Sequence, residues 1–279
     1  MIQDSDTNYL YLSDKLLERY PLFYSRFVVA LNDLKIPFDL LPHTSDIWAK
    51  DFMPVQINES EFVQFIFDPD YLKPKEYHHL LTKPGVVCDA IGLRPELKPI
   101  VLDGGNVIKT ANKIIICEKI FKENPSKIKS DLIDELVEQF KTDKIIFIPW
   151  DRNDFTGHAD GMVRFVDDDN VIINERTYEN PQCEELLRST LLQAGLNIIE
   201  MPYSPSNDPT YLSAKGLHLN FLQMKQAIIV PVFNQSSDDI AMKTIENIFT
   251  AQNITALNCE DIAAEGGVLN CISWNILIN

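Results

Sequence analysis

The sequence predicts an α/β fold, a propeller of five ββαβ-type units set with five-fold pseudosymmetry around a central site. Two observations carry that expectation. The order hairpin, helix, strand recurs along the chain, and supersecondary units repeating at a fixed period build arrays or closed rings. The residues able to do chemistry recur in phase with it. Asp51, Asp103, His158, Leu217 and Cys271 stand near the entries to successive units, separated by 52, 55, 59 and 54 residues by subtraction along the sequence. Two separate α/β domains would show the same local elements. They would not place the reactive groups at one phase, whereas equivalent strand ends around an axis do.

Taken in order, apolar residues at helical spacing (Leu16, Leu17, Tyr20, Phe23, Phe27, Val28, Leu31) predict a helix from Ser13 to Asn32, kinked or restarted at Pro21. A short strand follows over Ile36–Leu41. Strands are expected at Met53–Ile57 and Phe62–Phe67, then a helix near Glu76–Thr82 and a strand near Val86. Ile100–Leu102 reads as a strand. Asn106–Thr110 and Lys113–Cys117 read as a hairpin turning at Ala111-Asn112. Leu132, Ile133, Leu136, Val137 and Phe140 mark a helix capped near Ser130 or Asp131, and Lys144–Ile148 a strand. The next hairpin pairs Met162–Val166 with Val171–Asn174. A helix from Pro181 follows, with Leu186, Leu187, Leu191 and Leu192 inward and Gly195 as its stop, then a strand at Asn197–Met201. The last full unit comprises Leu217–Gln223, Ala227–Val232, a helix from Asp238 carrying Ile240, Ile245, Ile248 and Phe249, and Ile254–Leu257. The fifth unit is split. Its strand Asn270–Ile278 joins the N-terminal helix and the strand at Pro37, which closes the ring.

Bulk properties set the outer limits. The 279 residues, 45% hydrophobic and 24% charged, suit a globular protein with ample core. The start lacks a basic region followed by an apolar core, and no apolar run approaches the roughly 20 residues of a membrane span. A soluble, cytoplasmic protein is therefore expected. The net charge of −16 argues against nucleic acid or an anionic membrane as partner, since both need a basic face. Self-association into a homo-oligomer is left open.

The stretch Thr156-Gly157-His158-Ala159-Asp160-Gly161, just before a strand, aims a base and an acid at one target, because alternate strand residues share a face. Cys271 follows Gly266-Gly267 and opens a strand, which places a thiol at an exposed tip on a rigid element. With a free pKa near 8.5 it needs a neighbouring positive charge to ionise. Cys88, Cys117, Cys183 and Cys259 lack such a setting and read as core thiols. His78 and His79 read as surface and His43 as loop, while His218 stands at the repeat phase and could line the same centre. No HxxxH or CxxC pattern is present, so no metal site is expected. Asp51, Asp103 and Asp160 would bring three carboxylates into one cavity. That is costly without a cation to neutralise them, and a planar guanidinium is the natural guest for two carboxylates. Taken singly, each Asp has a plainer reading, with Asp51 pairing with Lys50 or Lys35 and Asp103 forming a turn.

These residues resemble a known family. Trp48-Ala49-Lys50-Asp51 with Pro54, Leu102-Asp103-Gly104-Gly105-Asn106, Gly157-His158-Ala159-Asp160 with Arg164-Phe165, Asn220-Phe221, and Gly266-Gly267 before Cys271 are similar to motifs of agmatine deiminase and the bacterial-type peptidylarginine deiminases. These belong to the guanidino-group-modifying superfamily. The motifs stand in family order from residue 48 to 271. The resemblance implies the pentein fold, a five-bladed α/β propeller, and one catalytic domain spanning 1–279. It implies a small cationic guanidino substrate, agmatine or an arginine-like compound, and no cofactor. It further implies that Cys271 attacks the guanidinium carbon to give a covalent thiouronium, and that His158 protonates the departing amine and then activates water. Asp51 and Asp160 would hold the guanidinium, Asp103 would orient His158, and Trp48 would lie against the substrate's apolar chain or in the core. The chain departs from the family at Asp103, where Glu is common, and at Lys50, Met53, Asn270 and Ser273-Trp274-Asn275. Hydrolysis to a ureido product and ammonia is thus expected, with two alternatives: amidino transfer to an amine, or guanidinium binding without turnover.

Overall fold

A computed structural model describes residues 1–175, 181–203 and 212–278. Its first two strands, β1 (Tyr9–Ser13) and β2 (Phe38–Leu41), pair in parallel. Four complete units follow. The first is β3 (Val55–Gln56), β4 (Phe62–Ile66) and β5 (Glu96–Val101), and the second is β6 (Ile108–Lys109), β7 (Ile114–Cys117) and β8 (Ile145–Ile148). The third is β9 (Val163–Phe165), β10 (Asn170–Glu175) and β11 (Asn197–Pro202), and the fourth is β12 (Leu222–Gln223), β13 (Ala227–Val232) and β14 (Asn253–Asn258). Finally β15 (Ser273–Ile276) returns to pair antiparallel with β1 and completes the split unit. All five sheets have three strands and one pattern, in which the first and second strands are antiparallel and the second and third parallel. The antiparallel pair needs only a tight turn, whereas the parallel pair needs a crossover, and helices supply it in each unit.

The first strand of every unit faces the axis, and neighbouring first strands are tied to each other. Gln56 on β3 exchanges bonds with Leu277, donating at 2.9 Å and accepting at 2.8 Å. Asn275 on β15 donates to the Gln223 carbonyl on β12 at 3.3 Å, and β6 lies against β9. The helices cover the outside. Leu132, Leu136 and Phe140 are buried against strands of the first and second units, each contributing on the order of 2 kcal/mol.

The five-unit propeller predicted from the sequence is therefore what forms, with local corrections. Tyr9–Ser13 was not anticipated as a strand, although Leu10 and Leu12 alternate with Tyr9 and Tyr11; both leucines are buried and β1 is the centre of its sheet. The strand expected near Val86 is a helix, Pro84–Ala90, because Pro84 pre-sets its first turn and turns Val87 and Cys88 inward. Glu76–Thr82 is a 3-10 turn at Lys75–Leu80, and the strand placed at Ile100–Leu102 runs from Glu96 to Val101. Leu217–Gln223 yields strand only at Leu222–Gln223, the rest being loop. In the helix Pro181–Gln193, Leu187 and Leu191 are buried while Leu186 and Leu192 are exposed. Residues one apart on a helix point about 100° apart, so all four could not share a face. Ile240 is likewise exposed, the inward positions being Ala241 and Ile245.

Candidate active site

The chemistry-bearing residues sit in the segments that lead into the inner strands. Asp51 lies on the one-turn helix Ala49–Phe52 before β3. Asp103 caps the 3-10 turn Gly104–Asn106 before β6, and His158 caps the turn Ala159–Gly161 that carries Asp160 before β9. Asn220 precedes β12 and Cys271 precedes β15. Five loops thus converge on one end of the axis, around a cavity of about 130 Å³ lined by Trp48, Asp51, His158, Asp160, Asn220 and Cys271 among others. Asp51, His158, Asp160, Asn220 and Cys271 are each at least nine-tenths buried.

The side chains form two hydrogen-bonded groups, one around His158 and one around Asp160. His158 Nε2 lies 3.0 Å from Asp103 Oδ2, which also accepts from the Tyr71 hydroxyl at 3.1 Å. The other ring nitrogen, Nδ1, is 3.6 Å from Asp51 Oδ1, and that oxygen accepts from the Gly105 backbone N–H at 3.2 Å. Asp160 Oδ2 takes hydrogen bonds from Asn270 at 2.6 Å and Asn220 at 3.1 Å. The Cys271 sulfur stands 3.6 Å from that oxygen and 3.4 Å from Asn220 Oδ1. Two glycines allow the close approach. A Cβ at Gly105 would come within 2.6 Å of both Asp51 Oδ1 and His158 Nδ1, and one at Gly267 within 2.5 Å of Trp48 and 3.1 Å of Cys271 Sγ.

Three carboxylates and one imidazole in a dry pocket shift one another. Burial, reinforced by the charges of Asp103 and Asp160, pushes the Asp51 carboxyl up to about 8. Burial alone would depress His158, but Asp51, the hydrogen bond to Asp103 and the Asp103 and Asp160 charges raise it to about 10. Burial and the Asp160 and Asp51 charges also hold the Cys271 thiol well above its ordinary value. The pocket therefore carries more negative charge than His158 can balance. A cation set among the acids reverses the shifts on both Asp51 and Cys271, since it favours their ionised forms.

The predicted residues Trp48, Asp51, His158, Asp160 and Cys271 all line this cavity, and Asp103 stands directly behind His158. Asp51 pairs with neither Lys50 nor Lys35; Lys50 turns instead to Asp4 at 3.8 Å. Three expectations need correction. His158 and Asp160 occupy a 3-10 turn ahead of the strand rather than alternate strand positions, so His158 faces Asp51 and Asp103 while Asp160 faces the thiol. Leu217 does line the wall, but the polar contribution of its unit comes from Asn220, three residues on. His218 is turned away from the cavity and bonds Asp238 at 2.8 Å. Sequence reasoning gave no role to Tyr71, Asn270 or the buried Lys119. The Lys119 ammonium donates to the Thr156 carbonyl at 2.7 Å and pairs with Asp70 at 2.9 Å, fixing the loops that carry His158 and Tyr71. Nothing local distinguishes Lys119 from a surface lysine in the sequence.

The family model for the Porphyromonas-type peptidyl-arginine deiminase matches residues 25–276. The chain belongs to that family. A provisionally named agmatine deiminase of Vibrio parahaemolyticus is 24% identical over 286 aligned residues, covering 87% of this chain and 77% of the relative. One from Mycoplasma capricolum is 24% identical, and the match spans 67% of this chain but 60% of the relative's length. Among solved structures, C. jejuni agmatine deiminase superposes with a TM-score of 0.81 at 19% identity, covering 98% of this chain and 94% of that one. The dimethylarginine dimethylaminohydrolase (DDAH) of Pseudomonas aeruginosa superposes at 0.59 and 12% identity, covering 97% and 99%. These likenesses establish the pentein propeller. No helix among the described residues is long and apolar enough to cross a membrane.

Proposed function

We infer that the protein hydrolyses a small guanidino compound, agmatine or an arginine-like molecule, to its ureido product and ammonia. One observation supports this above the others: a thiol stands 3.6 Å from a carboxylate in a cavity that also holds a second carboxylate and an imidazolium. The guanidinium sits between Asp51 and Asp160, each accepting charge-assisted N–H bonds, so its central carbon faces Cys271 Sγ. Its charge lowers the thiol's pKa. Because His158 already carries a proton at neutral pH, the thiol proton leaves towards Asp160 or solvent rather than to the imidazole. The thiolate adds to the carbon, His158 donates its proton to the departing amine, and ammonia leaves with formation of a thiouronium. Neutral His158 then takes a proton from water, which adds to the same carbon and expels the thiolate. The balance is RNHC(NH₂)₂⁺ plus H₂O giving RNHCONH₂ plus NH₄⁺.

The test is ammonia release across a panel of guanidines with Cys271→Ser as control, together with mass spectrometry of the quenched wild-type chain. A serine variant that still releases ammonia overturns the reading. Free amine from the substrate without ammonia or ureido product, and with a new amidino-amine when glycine or ornithine is added, would assign transfer instead of hydrolysis.

A further inference from the structure

The catalytic cavity opens past Trp48 into a second, larger one of about 520 Å³. The two share Trp48, Tyr71, Phe155, Leu212 and Glu265 as walls, and Asp51 at the junction, so one molecule can extend through both. Beyond the junction the described lining is mainly apolar, with Phe67, Tyr77 and Leu80 prominent beside the charged Arg19, Asp46 and Glu265. Tyr77, Phe155 and Leu212 are 45%, 41% and 45% exposed. Large apolar side chains left accessible around one concavity mark a binding surface. The outer charged groups are already hydrogen-bonded. Arg19 donates to Asp46 at 2.6 Å and also bonds Glu265, which further accepts from the Tyr20 hydroxyl. Asp46 is bonded as well by the Ile47 backbone N–H at 2.8 Å.

We propose that the outer cavity holds the tail of the substrate, and that this tail ends in an uncharged aromatic or bulky apolar group. The proposal rests on the deimination reading above and names its substrate class. An aromatic tail buries its surface against Trp48, Tyr71 and Phe155, with ring-on-ring contacts adding to the gain. A terminal ammonium in the same place loses its hydration and meets acids whose oxygens already accept from Arg19, the Ile47 N–H and the Tyr20 hydroxyl. The inner pocket thus selects the guanidinium and the outer one an apolar tail.

Two compounds with one linker decide it: 4-phenylbutylguanidine and agmatine, which is 4-aminobutylguanidine, with ethylguanidine as a control lacking the tail. The expected result is a kcat/KM at least tenfold higher for the phenyl compound. Tyr77→Ala and Leu80→Ala, on the outer 3-10 turn, bring that ratio to about threefold or less while leaving ethylguanidine turnover unchanged. Agmatine turned over as well as the phenyl compound, or a ratio indifferent to both variants, overturns the proposal and leaves the deimination reading standing. If no guanidine releases ammonia, that reading fails by itself. Calorimetric binding to Cys271→Ser then decides the outer cavity: at least tenfold tighter binding of the phenyl compound supports it, and equal affinity overturns it.

Discussion

The axis of the propeller carries two charged clusters of opposite composition. At the mouth, three carboxylates (Asp51, Asp103 and Asp160) surround one imidazole and a thiol. Farther along the inner strands, three cations surround one acid: Arg164, Lys50 and Lys109 lie 2.9, 3.8 and 3.8 Å from Asp4. Burial would raise the Asp4 carboxyl, but the charges of Lys50, Arg164 and Lys109 hold it well below the usual carboxylate range. Burial in turn holds Lys109 down to about 8. The clusters touch through one chain of contacts, in which Arg164 donates to Asn270 at 2.8 Å and Asn270 donates to Asp160 at 2.6 Å. Their difference lies in where the countercharge comes from. The inner cluster takes its acid from the N-terminal segment of the same chain, so it is structural. Among the described residues the mouth has no cation of the chain's own beyond His158, which is what the proposed binding of a guanidinium calls for.

That contrast predicts opposite costs for neutralising an acid at the two ends. Asp160→Asn removes the proposed guanidinium grip beside the thiol and should lower kcat/KM about 10³-fold, or about 4 kcal/mol. The melting temperature stays within a few degrees of wild type by calorimetry. A variant that keeps a tenth of the activity would break the assignment of Asp160 to the substrate. Asp4→Asn does the reverse. It strands the buried Arg164 and two half-buried lysines and lowers stability by about 3 kcal/mol in urea titration, while kcat of the folded fraction stays within about threefold. The pH sign follows from the depressed carboxyl. Asp4 contributes stability that is present above its unfolded value near 3.8 and is lost as pH falls through its lower folded value. Asp51 has the opposite sign, since its raised carboxyl makes the fold lose stability as pH rises from 3.8 towards 8.

Much of this was legible in the sequence because it depends on period. The five-fold arrangement follows from recurring hairpins and helices, and the shared phase brings Asp51, Asp103, His158 and Cys271 together although up to 220 residues separate them by subtraction. What stayed illegible depends on single-residue geometry. Asn220, two residues ahead of β12, rather than Leu217, five ahead, reaches Asp160, an offset that the period does not set. The Asp4 cluster joins four residues from four segments, with no spacing rule to connect them. Val86 looked like strand because β-branched residues favour strands, but Pro84 decides the local backbone.

The pH dependence of turnover sharpens the contrast further. In kcat/KM, which reports the uncomplexed enzyme, activity should rise as Asp51 ionises near 8 and fall as His158 loses its proton near 10. A bound guanidinium favours ionised Asp51, so the acid limb of kcat should lie below that of kcat/KM. Coincident acid limbs would mean that no cation settles between the acids.

The smallest effect expected is at Tyr71, and its direction discriminates most finely. The Tyr71 hydroxyl and His158 Nε2 share one oxygen of Asp103, at 3.1 and 3.0 Å, while the other oxygen is buried without a partner. Tyr71→Phe therefore leaves the carboxylate with a single donor and more of its charge directed at the imidazole. With ethylguanidine, which does not reach the outer cavity, kcat should fall about fivefold, the worth of about 1 kcal/mol for one such bond, with KM nearly unchanged. The alkaline limb should move upward, because a less satisfied Asp103 holds the His158 proton more tightly. A purely structural tyrosine would cost stability and leave that limb where it was, so the direction of the shift separates orientation of the acid from simple packing.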